Sequence, residues 1–301
     1  MSVKMVRVVT ISKGAAPSVE MLRLTVLAED TANVEKPYLE ARHGLSFFIE
    51  AKVAGVNSSV LMDAGPPPDV ALQNAYKLNV DLRKTDVVVL SHGHYDHIGG
   101  LLKILEHIGR PTPVVAHPKI FDPKLVYGPH LKSIGLRYDQ ASIEASGGVL
   151  LLSRSAVTIL NGVVASGEIP RETHFEQTKG FYTVADEQFV EDPVLDDQAL
   201  FINLKDKGLV IIAGCAHSGI INTLKHAQKT SEIDNIYAIV GGFHLVKADS
   251  ARIQASIEGF ARLKPKMIWP CHCTGSTTIN QLLSHFGNKC KPVHVGDIIE
   301  F

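Results

Sequence analysis

Cysteine is scarce in this chain. Its 301 residues include 4, Cys215, Cys271, Cys273 and Cys290, all in the last third. They are too few and too clustered to staple a chain of this length, which excludes a disulfide framework and leaves reduced thiols as the expectation. An excess of one charge is missing too. With 30 basic against 31 acidic residues the net charge is −1, and no Lys/Arg stripe is present to follow a phosphate backbone by counterion release, so nucleic acid is not an expected partner. Long apolar runs are absent: none approaches the roughly eighteen residues of a membrane span, and the opening "MSVKMVRVVT" has no signal-peptide core. The expectation is a cytoplasmic protein without a membrane partner. At 45% apolar and 20% charged residues the composition is that of a folded globular chain, large enough for one domain or two.

The first third reads as short strands rich in β-branched and aromatic residues: "RVVTI", "RLTVLA", "LSFFIEA" and "SSVLMDAG". A helix carrying Val70, Leu72, Ala75 and Leu78 follows, with Asp69 as its N-cap, and then a strand over 86–90. Leu101, Leu102, Leu105 and Ile108 mark a second helix. Residues 118–148 are turn-rich and weakly periodic, which predicts an irregular flap over one end of the fold. The second half repeats the plan. "ALFINL" and "GLVIIA" predict a hairpin, and strand, polar loop and helix then recur through "GCAHSG", "IYAIVGGFHL" and "KMIWPCHCTG". Two similar halves predict a single mixed α/β (α+β) domain over 1–301, with two sheets covered by helices on both outer faces.

The densest chemistry lies in "SHGHYDHIGG", residues 91–100, directly after "DVVVL". Alternate side chains of an extended segment face one way, so His92 and His94 can present two imidazoles to one ion. Asp96 and His97 fall where a helix begins and point past that pair, which suits a second ion nearby, as in two-metal hydrolytic sites. Imidazole and carboxylate favour zinc, iron or manganese over calcium, with magnesium also admitted. Further donors stand at other strand ends: His217, His244 and His272. By strand alternation Cys271 and Cys273 share one side and His272 faces the other. No site role is expected for His43, His107, His117, His130, His174, His226, His285 or His294.

The segment 91–100 resembles the His-x-His-x-Asp-His signature of the metallo-β-lactamase superfamily, and Asp63 in "VLMDAGP" resembles its earlier buried aspartate. The resemblance implies a four-layer αββα sandwich with a dinuclear centre at one sheet edge. His92, His94 and His217 would then hold the first metal, and Asp96, His97 and His272 the second. Where the superfamily supplies a bridging aspartate after a strand like "GLVIIAG", this chain has Cys215.

"HGLSFFIEA", "SGEIPRETHFE", "GCAHSGIINT", "GGFHL" and "PCHCTG" together resemble a branch that includes archaeal dihydropterin-methyl diphosphate:arylamine transferases, which release diphosphate toward a methanopterin-type cofactor. Many other members are known only as metal-dependent hydrolases. The resemblance implies an enzyme acting on a phosphorylated small molecule. Arg171 would clamp a phosphate, Glu168 would hydrogen-bond the pterin or amine, and His244 would bind substrate or donate to developing charge. In a hydrolase of esters, lactones or phosphodiesters, Asp96 would orient water or accept its proton. The departure at Cys215 keeps a third reading open, a non-catalytic metal-binding sensor.

Overall fold

The computed structural model describes residues 17–301; the segment read as "RVVTI" lies outside them. The first half runs β1 (Met21–Ala28), β2 (Ser46–Val53), β3 (Val56–Met62), α1 (Val70–Lys77), β4 (Val87–Val89), α2 (Tyr95–Ile98), α3 (Leu101–Ile108), β5 (Thr112–Ala116), β6 (Leu125–Tyr127), β7 (Leu131–Ser133), α4 (Gln140–Ala145) and β8 (Gly148–Leu152). The second runs β9 (Val157–Leu160), β10 (Val163–Ala165), β11 (Phe181–Ala185), β12 (Gln188–Glu191), β13 (Ala199–Leu204), β14 (Gly208–Ala213), α5 (Ile220–Ser231), β15 (Ile236–Gly242), α6 (Ser250–Leu263), β16 (Met267–Cys271), α7 (Ser276–Phe286) and β17 (Ile298–Glu300).

Two large sheets, ordered β17-β1-β2-β3-β4-β5-β8 and β16-β15-β14-β13-β10-β9, stack face to face. Strand alternation builds the layers. Phe47 and Ile49 of β2 point into the core between the sheets, where they join Leu200, Ile202, Val210 and Ile212. Their neighbour Phe48 points outward, against the cluster that carries Ala71 and Ala75 of α1 and Leu101, Ile104 and Leu105 of α3. On the other flank, Leu209 and Ile211 pack under Leu224 of α5, Ile257 and Phe260 of α6, and Leu282 of α7. The fold is therefore a four-layer αββα sandwich. The hairpin expected from "ALFINL" and "GLVIIA" is β13-β14, in register from Ala199↔Ala213 to Leu204↔Gly208. No helix among the described residues is long and apolar enough to cross a membrane.

Residues 118–148 are more regular than their composition suggests. They hold β6, β7 and α4, and Ile120 and Ile143 are buried in the outer core of the first sheet, so part of this segment belongs to the body of the domain. Strands β6 and β7 instead pair with β11 and β12 in a separate four-stranded sheet, ordered β12-β11-β6-β7. Asp69 stands at the N-cap of α1, but its carboxylate accepts from Gln73 Nε2 at 3.0 Å and makes no side-chain cap bond.

Strand direction collects the chemistry at one edge. β3 and β4 are parallel, and β1 shares their direction because β2 is antiparallel to both β1 and β3. Strands β14, β15 and β16 are parallel to one another. The carboxyl ends of parallel strands are where open α/β sheets place their ligands. Here those ends deliver Glu29, Asp30, Asp63 and Ser91 through His97 from one sheet, and Cys215 through His217, His244 and His272 from the other.

Candidate metal centre

His92 and His94 leave the end of β4 on an extended backbone, with His94 as the N-cap of α2, and Asp96 and His97 sit in the first turn of that helix. The residue between the two histidines has no room for a side chain. A Cβ on Gly93 would lie 2.7 Å from the carbonyl oxygen of Ile120. Its amide donates to Asp196 Oδ2 at 2.8 Å, and Asp196 Oδ1 in turn accepts from the buried Lys124 ammonium at 2.6 Å. Asp192 is 3.1 Å from the same ammonium. Burial works against this cation, but Asp196 and Asp192 outweigh it and hold Lys124 above its ordinary value.

Two sets of donors emerge. His92 Nε2 is 2.9 Å from His94 Nδ1 and 3.2 Å from His217 Nε2. In the second set His97 Nε2 is 3.2 Å from His272 Nε2, and Asp96 Oδ2 is 3.6 Å and 3.4 Å from those two nitrogens. All six side chains are buried. The structure thus brings together the six residues expected as metal ligands.

Hydrogen bonds on the outer side of the rings fix which nitrogens face inward. Ser91 Oγ donates to Asp63 Oδ2 at 2.7 Å and so receives the Nδ1 proton of His92 at 2.9 Å. His97 Nδ1 donates to Asp63 Oδ2 at 2.6 Å, and His272 Nδ1 to Asp30 Oδ1 at 2.6 Å. Those Nδ1 bonds leave the Nε2 atoms of the three rings facing inward, where each can offer a lone pair to a cation. Burial opposes protonation of His272, but the Cys273 sulfur and the bonds to Asp30 and Asp96 outweigh it and raise this ring well above the usual histidine range, so a metal there would displace a proton. Burial, joined by repulsion from neighbouring imidazoles, pushes His92 and His217 well below the usual histidine range, and burial pushes His94 to about 3. The Nε2 pairs His92–His217 and His97–His272 each stand 3.2 Å apart, a spacing at which one cation can accept both lone pairs. Tetrahedral ligands bound about 2.0–2.1 Å from zinc sit about 3.3 Å apart, close to the spacings found. The residues fit a divalent metal.

Asp63 stands behind the donor rings, and it adopts a left-handed backbone (φ 60°) at the end of β3. Both its carboxylate oxygens are occupied, one by the Ser91 amide at 2.7 Å and the other by Ser91 Oγ and His97 Nδ1. Asp96 is buried, which opposes ionisation, yet the neighbouring His97 and the bond to His272 hold its carboxyl well below the usual carboxylate range. His244, at φ 47°, sets its ring 4.2 Å from that of His217 with the planes tilted by 48°, and its Nδ1 is buried without a hydrogen-bond partner among the described residues.

Several participants were not foreseen. Asp30 joins His272 to His43, whose Nδ1 lies 2.9 Å from Asp30 Oδ2 and whose Nε2 lies 3.4 Å from Asp96 Oδ2. Burial opposes ionisation of Asp30, but the bonds from His272 and His43 hold its carboxyl well below its usual value. Glu29 Oε1 accepts the His272 amide at 2.7 Å. Phe181, from β11 of the small sheet, stacks on His94 with ring centroids 5.0 Å apart and meets His217 edge-on at the same distance.

The alternation expected over Cys271, His272 and Cys273 fails. β16 ends at Cys271, and His272 takes a left-handed conformation (φ 50°) that turns Cys273 toward the site. Cys271 faces the core between the sheets, while the donor atoms of Cys215, His272 and Cys273 lie within 4.8 Å of one another.

Glu168 and Arg171 have hydrogen-bond and ion-pair partners outside the six-residue set. Glu168 Oε2 is 3.3 Å from His117 Nε2 and 3.7 Å from Arg154 Nε. Arg171 donates to the carbonyl oxygens of Pro193 and Val194, the latter at 3.0 Å, so its guanidinium fastens a loop.

Residues 39–218 match the family described as the metallo-beta-lactamase superfamily. A 7,8-dihydropterin-6-methyl-4-(beta-D-ribofuranosyl)-aminobenzene-5'-phosphate synthase of Methanocaldococcus jannaschii is 36% identical to this chain, over 94% of it and 98% of the relative. An uncharacterized protein of the same organism is 33% identical, over 86% of this chain and 93% of its own. A solved structure described as a metal-dependent hydrolase of the beta-lactamase superfamily superposes with a TM-score of 0.77 at 29% identity, covering 93% of this chain and 99% of that one. With the signature histidines converging at the edge of an αββα sandwich, the chain belongs to the metallo-beta-lactamase superfamily.

Proposed function

We propose that this protein is a metal-dependent transferase that joins a dihydropterin-methyl diphosphate to a ribofuranosylaminobenzene phosphate and releases diphosphate. The observation that carries the reading is the 36% identity to the synthase over nearly the whole of both chains. His92, His94 and His217 would hold one divalent ion, and Asp96, His97 and His272 a second, with zinc or iron suited to the donors. Bound there, the ions supply Lewis-acid stabilisation of the charge that grows on the departing diphosphate.

In the transfer a C–O bond to the diphosphate breaks, a C–N bond forms, and the amine loses one proton. Asp96 is a poor base because its carboxyl is held below the usual range, so it serves as a ligand. His244 takes the amine proton at its unpartnered Nδ1 and then donates a hydrogen bond to the leaving phosphate. Phe181, from the small sheet, covers one face of His94 and the edge of His217 with an apolar ring, and a planar pterin would stack on the side of Phe181 turned away from His94. Glu168 and Arg171 act at a distance by fixing loops. The protein works in the cytoplasm without nucleic acid or membrane.

Hydrolysis is the second reading, favoured by the structural relative described as a metal-dependent hydrolase. Incubating metal-loaded protein with dihydropterin-methyl diphosphate, with and without the arylamine, separates the two. The transferase releases diphosphate in step with amine consumed; release at the same rate without amine rejects the transfer and supports hydrolysis.

A further inference from the structure

The four cysteines divide two and two. Cys271 belongs to the core between the sheets and Cys290 to the helix-covered core of the second sheet, each among apolar side chains, as is ordinary for a buried thiol. Cys215 and Cys273 are equally buried but belong to no apolar cluster. Their neighbours are donors. Cys215 Sγ lies 3.2 Å from His97 Nε2. Its sulfur falls within 4.8 Å of donor atoms in three separate groups: with His92 and His97, with His217 and His244, and with His272 and Cys273. One sulfur atom is therefore in reach of both histidine sets described above.

The backbone is arranged to bring these sulfurs in. Ala216, His244 and His272 each adopt left-handed conformations, with φ of 52°, 47° and 50°, at the three strand ends around Cys215 and Cys273. Such conformations cost about 1–3 kcal/mol each outside glycine and persist where function requires them. Gly242, at the end of β15, leaves space for the second thiol, since a Cβ there would lie 2.6 Å from Cys273 Sγ. Cys273 Sγ also accepts the His244 amide at 3.3 Å and lies 3.6 Å from the Cys215 carbonyl oxygen, which fixes the sulfur beside the strand ends that carry Cys215 and His244.

We infer that Cys215 and Cys273 are metal ligands, Cys215 as a thiolate shared by both ions and Cys273 as a terminal thiolate on the ion held by Asp96, His97 and His272. Each thiol gives up its proton to solvent as its metal–sulfur bond forms. Two thiolates make the centre softer than one built on imidazole and carboxylate alone, which selects zinc or iron and disfavours magnesium and manganese. The inference rests on the metal-binding reading of the cluster and is independent of the reaction proposed above.

X-ray absorption at the zinc edge tests it on the intact zinc-loaded protein without any substrate. The wild type should show sulfur at about 2.3 Å alongside nitrogen and oxygen at about 2.0–2.2 Å. A shared Cys215 makes two of three metal–sulfur bonds, so Cys215→Ser should remove roughly two thirds of the sulfur amplitude and Cys273→Ser roughly one third. Cys271→Ser and Cys290→Ser should leave it unchanged. Cys215→Asp, which keeps an anionic ligand, should hold zinc while losing the same two thirds. A wild-type shell of nitrogen and oxygen alone overturns the inference while leaving the metal site standing, and so does a sulfur signal that survives in the Cys215→Ser/Cys273→Ser double variant. Failure to bind zinc at all overturns both.

Discussion

Lys124→Met would remove the one cation from a buried triad. Asp192 and Asp196 lie 3.1 Å and 2.6 Å from its ammonium, and all three side chains are buried. Removing one partner of such a group leaves the other charges uncompensated and costs about 3–5 kcal/mol. Unfolding entropy of about 2.1 cal/mol/K per residue amounts to about 0.6 kcal/mol/K for 301 residues, so the melting temperature should fall by about 5–8 °C at pH 7. The sign with pH follows from linkage. Burial already raises the Asp196 carboxyl against the pull of Lys124, and without the lysine it rises further above its unfolded value, so the folded variant binds a proton first and the deficit shrinks as pH falls from 8 toward 5. Asp192→Asn and Asp196→Asn in the same chain should recover most of the loss, because amide oxygens can still accept the Val194 and Gly93 amides. Thermal unfolding followed by circular dichroism on metal-free protein reads these differences. A melting temperature within 1–2 °C of wild type at pH 7, corresponding to only about 1 kcal/mol, or a deficit that does not change with pH, would refute the reasoning.

Three further substitutions probe the site. His94→Ala should abolish turnover and remove about one metal per chain while far-ultraviolet circular dichroism stays native, because the ring reaches a donor set and carries no core packing; metal analysis of the purified variant checks it. Asp30→Asn should weaken metal binding by roughly 10- to 100-fold through loss of the anionic acceptor on His272 Nδ1, measured by competition with a chelating dye. Gly93→Ala should lower both stability and metal content, since the new methyl would meet the Ile120 carbonyl at 2.7 Å and Asp196 Oδ2 at 3.2 Å; equal metal content and melting temperature would show that the loop between the two histidines can yield.

What the sequence revealed was local and periodic. The spacing of His92, His94, Asp96 and His97 after an apolar strand is readable because one short segment carries both the donors and the change from strand to helix. The layers follow from alternation such as Phe47, Phe48 and Ile49, which needs no knowledge of partners. Strand-end position also led to His217 and His272. The rest depends on contacts between distant segments. Asp30 matters because its carboxylate meets a ring 242 positions away, and no spacing rule announces that. His43 was assigned to surface or core for the same reason. Cys273 was misplaced because alternation was carried one residue beyond the strand, into a left-handed turn at His272. Phe181 was missed because its strand pairs with a strand of only three residues, too short to show a period. Glu168 and Arg171 were expected from the resemblance carried by "SGEIPRETHFE"; the partners they meet, His117, Arg154 and two carbonyls, lie on segments that no spacing rule connects to them.

The central claim is that six side chains from both sheets converge on two cations. Diffraction from metal-loaded crystals, recorded on both sides of the zinc absorption edge, tests it most directly. Two anomalous peaks are predicted, one bonded to His92 Nε2, His94 Nδ1 and His217 Nε2, the other to Asp96, His97 Nε2 and His272 Nε2. Density with no anomalous peak among these atoms, or zinc bound only at another place on the molecule, would contradict it.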